Sequence, residues 1–298
     1  MKKFFLLCLF IVFFFTGCNT LNHSAPSAEN ITSIIQSFGF TAEEYNWKYD
    51  FKTTDDTIVE RADAIQKGDI YVETSITPPY VCDIQNIDWD VVFTESPGTF
   101  SLYLLSLNPV SYLTQAYYIT ENPDYLTTAK NILDQWITYK DSKASQDNPY
   151  LWYDHGTAIR SNTIIYFIFA YTSLTPEKID MDFCDLLIDV LEEHGDHLSN
   201  EAEYFENHNH GIFQDQALIY LACFLDNQQS SEWLNLAKER IEAQKEYAFS
   251  DEMVHVENSP AYQMGVVELF YQIAEFLSSQ EDSFGADLYD DVMQSLNF

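Results

Sequence analysis

The spacing of apolar residues after about residue 100 constrains this chain most. They recur every three to four positions through long segments, and the segments are separated by short polar breaks. That spacing puts them on one face of an α-helix, a face that must be buried against another element. It predicts helices over 100–119, 123–140, 157–173, 176–193, 211–226, 230–248, 260–279 and 284–296. Asn122-Pro123, Thr175-Pro176 and Ser259-Pro260 place proline where a first helical turn tolerates it, and Ser230-Ser231-Glu232 offers caps. The unit of helix, short loop, helix returns about every 50 residues. Helices joined this way stack as antiparallel pairs. The expected fold is all-α, an incomplete (α/α) toroid of antiparallel helix hairpins over 100–298, with a short mixed lead-in over 41–99. In the lead-in, Ile58 to Gly68 reads as a short helix closed by glycine. Asp69 to Thr77 alternates like a strand that Pro78-Pro79 ends.

The first 17 residues are of another kind. Lys2 and Lys3 precede an apolar run from Phe4 to Phe15, which is the pattern of a secretory signal and too short for a comfortable membrane span. Phe15-Thr16-Gly17-Cys18 resembles a bacterial lipoprotein box, in which the cysteine becomes the lipidated first residue. The small polar stretch after it, within 18–40, suits a tether. The expectation is an exported cell-envelope lipoprotein, in the outer membrane, the periplasm or on the cell surface, held to the membrane through Cys18. An ordinary secretion signal with an incidental cysteine is the alternative. Cys82, Cys184 and Cys223 remain in the folded part. Cys184 and Cys223 sit in apolar helical patterns and are expected as buried free thiols; no cysteine spacing suggests zinc.

Charge narrows the partners. Fourteen Lys and Arg against 47 Asp and Glu leave −33, and removal of residues 1–17 takes away two lysines and no acid. Such a chain repels nucleic acid, and no nucleic-acid partner is expected. An acidic polymer is repelled too unless a local site receives it. With 46% hydrophobic and 16% aromatic residues the chain is rich enough in apolar material for a sizeable core, which excludes wholesale disorder.

Three polar clusters interrupt the helical pattern. The first, Trp152-Tyr153-Asp154-His155 to Asn162, leads into an apolar helix and contains Arg160 near its start. Arg160 reads either as a cation for a substrate anion or a catalytic carboxylate, or as a partner of Asp154 that closes the helix start. The second is Glu206-Asn207-His208-Asn209-His210-Gly211. Two amides and two imidazoles in four positions stand at a helix N-terminus, where free N–H groups favour anions. Asn and neutral His are donors suited to an oxyanion; a cap with satisfied loop histidines is the plainer reading. His208 and His210 have no third ligand at useful spacing, so no metal and no cofactor is expected. The third cluster is His255-Val256-Glu257-Asn258-Ser259-Pro260-Ala261-Tyr262-Gln263, with Tyr262 one turn into its helix.

Taken together, WYDHGTAIRS, NHNHG before an apolar helix, and HVENSPAYQ resemble the heparinase II/III-like and alginate-lyase superfamily of polysaccharide lyases. RADAIQKG (61–68) looks like the segment that introduces its helical domain. The resemblance covers roughly 55–298. It implies β-elimination on a uronic-acid-containing polysaccharide. By it, Asn209 and His210 look like the pair that neutralises the uronate carboxylate, and Tyr262 like the catalytic tyrosine. Arg160 and His155 look like substrate-binding or supporting residues, with His208, Glu257 and His255 behind them. These lyases usually continue into a β-sheet domain; the expectation here is the toroid alone. Two other readings stay open. One is a glycoside hydrolase on the same toroid, drawing two carboxylates from Asp154, Glu206, Asp215 and Glu257. The other is a non-catalytic glycan-binding lipoprotein.

Overall fold

The structure, a computed structural model, describes residues 40–41, 51, 53–73, 75–225, 227–250, 256 and 260–295, without the side chains of 260–262 and 295. Cys18 and the signal lie outside the described residues. The described elements are α1 (Asp55–Gln66), β1 (Asp69–Ile70), β2 (Tyr80–Val81), α2 (Pro97–Leu105), α3 (Asn108–Thr120), α4 (Asp124–Lys140), α5 (Asp154–Thr172), α6 (Met181–Ser199), α7 (Asn209–Leu225), α8 (Ser230–Ala248), α9 (Pro260–Ser279) and α10 (Ser283–Ser295). The fold is a helical toroid arc, and its sheet is one two-residue antiparallel pair, with Asp69 opposite Val81 and Ile70 opposite Tyr80.

Two layers follow from which helices touch. α3, α5, α7 and α9 each contact the next in that series, while α4, α6, α8 and α10 each pair with an inner helix before them in the chain. Composition explains the division. Seventeen of the 19 residues of α5 are buried, against 7 of 19 in α8, so α5 is buried all round and α8 presents one stripe. That stripe runs Ser230, Trp233, Ala237, Arg240–Ile241, Gln244, Ala248, a spacing of three to four. Because the outer helices return antiparallel, the inner helices run in parallel. The N-termini of α5, α7 and α9 therefore meet at one end of the arc. The lead-in joins the same core: Ile58, Ala62 and Ile65 of α1 are buried, and α1 packs on α3. Phe40, at the end of the expected tether, is buried against Phe169, Phe224 and Phe276, with centroids 5.1–5.7 Å away.

Several sequence expectations need correction. The helix expected over 100–119 is two helices. A continuous helix would carry Pro109 in its interior, where its ring clashes with the carbonyl of Leu105 and no N–H is available to bond it. The chain instead breaks at Ser106–Leu107, Leu107 takes a left-handed φ of 63°, and Pro109 falls in the first turn of α3. The helix expected from 176 begins at Met181, capped by Asp180, whose side chain accepts from the Phe183 N–H at 3.2 Å; Pro176–Lys178 is a 3₁₀ turn. α6 then runs on to Ser199, so His194 and His197 are helical. The strand expected over 69–77 is only Asp69–Ile70, because its partner pairs over two residues and then diverges. Ile70, Val72 and Ile76 are nonetheless buried, which preserves the alternation. The three described cysteines are free; Cys184 is buried, whereas Cys223 is only half-buried. No described helix is long and apolar enough to cross a membrane.

Candidate functional site

The helix N-termini at that shared end carry the polar clusters. α5 starts at Asp154, three residues earlier than the spacing predicts, so Asp154 and His155 lie in its first turn rather than in the preceding loop. An acid there faces unpaired backbone N–H groups and the positive end of the helix. Its Oδ1 accepts from the His155 backbone N–H and lies 2.5 Å from His155 Nδ1. Its Oδ2 lies 3.0 Å from His210 Nδ1, on the first turn of α7. One nearly buried carboxylate, with a side chain 7% exposed, thus holds an imidazole from each of two neighbouring inner helices.

This arrangement sets proton positions. An ionised carboxylate only accepts, so each ring donates its Nδ1–H, and Nε2 of each neutral ring is unprotonated. The rings of His155 and His210 lie 4.0 Å apart between centroids, and the His208 ring is 4.4 Å from that of His210. His208 takes the opposite tautomer: its Nδ1 accepts from the His210 backbone N–H at 3.2 Å. Burial pushes the Asp154 carboxyl up, but the hydrogen bonds from His155 and His210 outweigh it and hold the group below the usual carboxylate range. Burial, with the neighbouring His155 ring, lowers His210 despite Asp154, so that ring is neutral at neutral pH. Asn209, half-buried at the start of α7, has no hydrogen bond to its carboxamide among the described residues and is a ready donor.

Buried polar groups behind the cluster fix the loop that delivers it. Gln214, 2% exposed, accepts from the Phe205 N–H and donates to the Glu203 carbonyl, both at 2.9 Å. Tyr204 donates to Asp215 Oδ2 at 2.8 Å and accepts from Gln244 Nε2 at 2.9 Å. Arg240 lies over the Tyr204 ring and bonds the Leu198 and Ser199 carbonyls. Burial pushes the Asp215 carboxyl well up, and neither Tyr204 nor Arg240 reverses it. Asn207 turns the chain with φ 57°, and Gly211 lies where a Cβ would meet the Phe205 carbonyl at 2.4 Å and Gln244 at 2.3 Å. Glycine is required there by close approach.

Arg160 is elsewhere, and the expectation of a substrate-facing cation is corrected. It is fully buried. Its Nη1 donates to the Leu105 carbonyl at 2.8 Å, the acceptor that Pro109 leaves without an N–H. Its Nη2 donates to Leu151 O at 2.6 Å and its Nε to His194 Nε2 at 2.8 Å. Trp136 and Trp152 cover the guanidinium. Nor does it pair with Asp154, the plainer alternative. His194 passes its Nδ1–H to the Val190 carbonyl, and burial with Arg160 beside it pushes its pKa well down, so it stays neutral. His197 stacks on Trp152 at 3.8 Å and meets Glu203 at 2.7 Å, which ties the loop before α5 to the loop before α7.

The fold thus gathers the rings of His155, His208 and His210, and Asn209 directly precedes His210 at the start of α7. His255 and Glu257 lie outside the described residues. The backbone of Tyr262 is in the first turn of α9, at the same end of the arc, and its side chain lies outside the described residues. Besides Arg160, sequence reasoning misplaced Asp154, weighed there as a hydrolase carboxylate or a partner of Arg160 and found here as the clamp on two histidines. The signal for it was Asp-His at a helix start, opposite a second helix start bearing His. As for the remaining hydrolase carboxylates, Asp215 is fully buried beneath Tyr204, and Glu206 is exposed in a groove of about 370 Å³ beside Arg240 and Asn207. Asp154 is the one carboxylate of its cluster. The spacing that offered His208 and His210 no third ligand is overtaken by the fold, which brings Asp154 to His210 from 56 residues upstream.

Comparison with known proteins agrees with the fold. No curated protein matches the sequence. Among solved structures, heparan sulfate lyase HepC from Pedobacter heparinus superposes with a TM-score of 0.71 at 15% identity, over 90% of this chain and 41% of that one. A heparinase III gene product with methylated lysines superposes with 0.66 at 15% identity, over 91% and 47%. Another heparinase III structure gives 0.69 at 16%, over 82% and 38%. The chain therefore spans less than half the length of each of these structures, and the likeness is one of fold. The family model described as heparinase II/III N-terminus matches residues 29–298, nearly the whole chain, and the chain belongs to that family.

Proposed function

We propose that this domain takes part in eliminative cleavage of a uronic-acid-containing polysaccharide, with the reacting sugar seated at the N-termini of α5, α7 and α9. The observation that carries the reading is Asn209 and His210 in succession at the start of α7, with His210 held by Asp154. Elimination needs the uronate carboxylate neutralised, because the negative charge that forms when the C5 proton leaves spreads onto it. Asn209 supplies a donor, and the α7 N-terminus adds its backbone dipole. Nε2 of neutral His210 is an acceptor, so it serves as a proton acceptor or, once protonated, as a cationic donor. Tyr262 is assigned the proton transfer to or from the glycosidic oxygen, from its place on α9 and the family's pattern. Membership of the heparinase II/III N-terminus family and the lyases among the structural neighbours support this reading. Residues 1–18 support the companion proposal of export and lipid attachment at Cys18, for which Cys18→Ser should abolish incorporation of labelled fatty acid.

The test is incubation of the full chain with a panel of uronans. An elimination produces an unsaturated uronate with new ultraviolet absorbance. New reducing ends without that absorbance mean hydrolysis. Binding with neither means a glycan-binding module. Tyr262→Phe should lower a measured elimination rate by about a hundredfold or more, and an unchanged rate removes Tyr262 from the chemistry.

A further inference from the structure

Positive charge is scarce where the proposed reaction requires it. Arg160 is sealed inside the domain. Lys130, Lys140, Lys238, Arg240 and Lys245 are each paired with acids of their own, and Arg61 bonds Tyr112. Among the described residues, no Lys or Arg forms a hydrogen bond or ion pair with Asp154, His155, Asn209 or His210. The chain carries −33 overall. None of the groups proposed to receive an anionic sugar at the α5–α7 corner is therefore bonded to a described Lys or Arg.

The corner does hold a metal-ligand set. Asp154, His155 and His210 each offer one ligand atom, and the three atoms lie within 4.8 Å of one another. Two imidazoles and one carboxylate are a ligand set suited to zinc and its neighbours among divalent transition metals. The three side chains come from two helix starts and are 7% (Asp154), 14% (His155) and 24% (His210) exposed. Three protein ligands with an open position are the arrangement that leaves a metal able to take a further oxygen. The acidic surroundings raise the local concentration of cations.

We propose that Asp154, His155 and His210 bind a divalent transition-metal ion such as zinc, and that the ion neutralises the carboxylate of an incoming uronate. The first half stands on the ligand geometry; the second rests on the lyase reading. The ion takes the place of the protons that His155 and His210 share with Asp154, so binding releases protons and weakens in acid. Asn209, next to His210 in the chain, then donates to the same carboxylate. This arrangement adds a positive centre at a corner where, among the described residues, no Lys or Arg is bonded to the site.

Metal binding is measured first, without sugar. The full chain is freed of metal with a chelator and titrated with Zn²⁺ in a calorimeter. One ion per chain is expected. His155→Ala and His210→Ala should each weaken it by about tenfold or more, with circular dichroism confirming that each variant keeps its helices. Loading with Co²⁺ should give a visible absorption band that both variants lose. Absence of stoichiometric binding, or binding and a Co²⁺ band untouched by either variant, overturns the site; the latter marks diffuse binding to surface acids. Binding of a uronate oligosaccharide is then compared in the metal-loaded and metal-free chain. Affinity about tenfold higher when loaded is expected, and equal affinity overturns the role in neutralisation. If the ion binds as described and no unsaturated product ever forms, the lyase reading fails while the metal site stands.

Discussion

Replacing Arg160 by methionine separates an internal brace from a substrate-binding cation. The side chain makes three hydrogen bonds, to Leu105 O, Leu151 O and His194 Nε2, all at 2.6–2.8 Å and all in a fully buried site. Methionine fills much of the volume and satisfies none of them. A hydrogen bond from a charged donor contributes about 1.5–3 kcal/mol, and an abandoned buried acceptor loses about as much. Three at once amount to roughly 5–9 kcal/mol. Relief from burying a charge returns several kcal/mol of this. The net loss expected is about 2–4 kcal/mol, out of a total stability of the order of 5–15. For a domain of this size that lowers the melting temperature by roughly 4–15 °C. Urea unfolding followed by circular dichroism gives the free energy, and fluorescence of Trp136 and Trp152, which flank the guanidinium, reports the same transition. Arg160→Lys should fall between, since one ammonium cannot reach three acceptors spread around a planar fork. A methionine variant as stable as the parent refutes the brace. A variant with full stability and lost uronan binding restores the substrate-cation reading of the sequence.

Three further outcomes follow from the same geometry. His194 has a folded pKa well below its unfolded value of about 6.5, so the unfolded chain binds a proton that the folded chain refuses. Its contribution is fully present above about pH 6.5 and is lost as pH falls below it, by up to about 1.4 kcal/mol per pH unit; urea titrations at several pH values should show that slope shrink in His194→Gln. Gly211→Ala drives a Cβ into the Phe205 carbonyl and should cost about 1–3 kcal/mol, read as a lower melting temperature, together with loss of any activity that depends on His210. Gln214→Leu frees the Phe205 N–H and the Glu203 carbonyl, and should cost about 2 kcal/mol and speed hydrogen exchange in 203–208.

The helix hairpins were legible because a buried stripe at helical period leaves a strong trace; α8 and α9 have the bounds that spacing predicted. The break before α3 was missed although Pro109 signals it, because Leu104, Leu105, Leu107 and Val110 keep a helical spacing across it. Two-residue pairing of β1 with β2 was not legible, because alternation reports burial and says nothing of a partner. Arg160 was misread for a reason that generalises. Its helix is buried on every side and lies in the inner layer, where a lone basic residue faces the interior. The Asp154–His210 contact joins two helix starts 56 residues apart. Only the parallel run of the inner helices makes them neighbours, and spacing along one segment cannot reveal it. Asn209 and His210, by contrast, announced themselves by density of polar groups at a helix start.

The central claim is that Asn209, beside the Asp154-held His210, receives the carboxylate of a uronate undergoing elimination. Its most direct test is the initial rate of unsaturated-product formation by Asn209→Ala relative to the parent chain, on whichever uronan the parent cleaves, with matching circular dichroism and melting temperature. Loss of a donor to a forming oxyanion predicts a fall of about 10²–10³ in turnover. An unchanged rate in a folded Asn209→Ala would contradict the account.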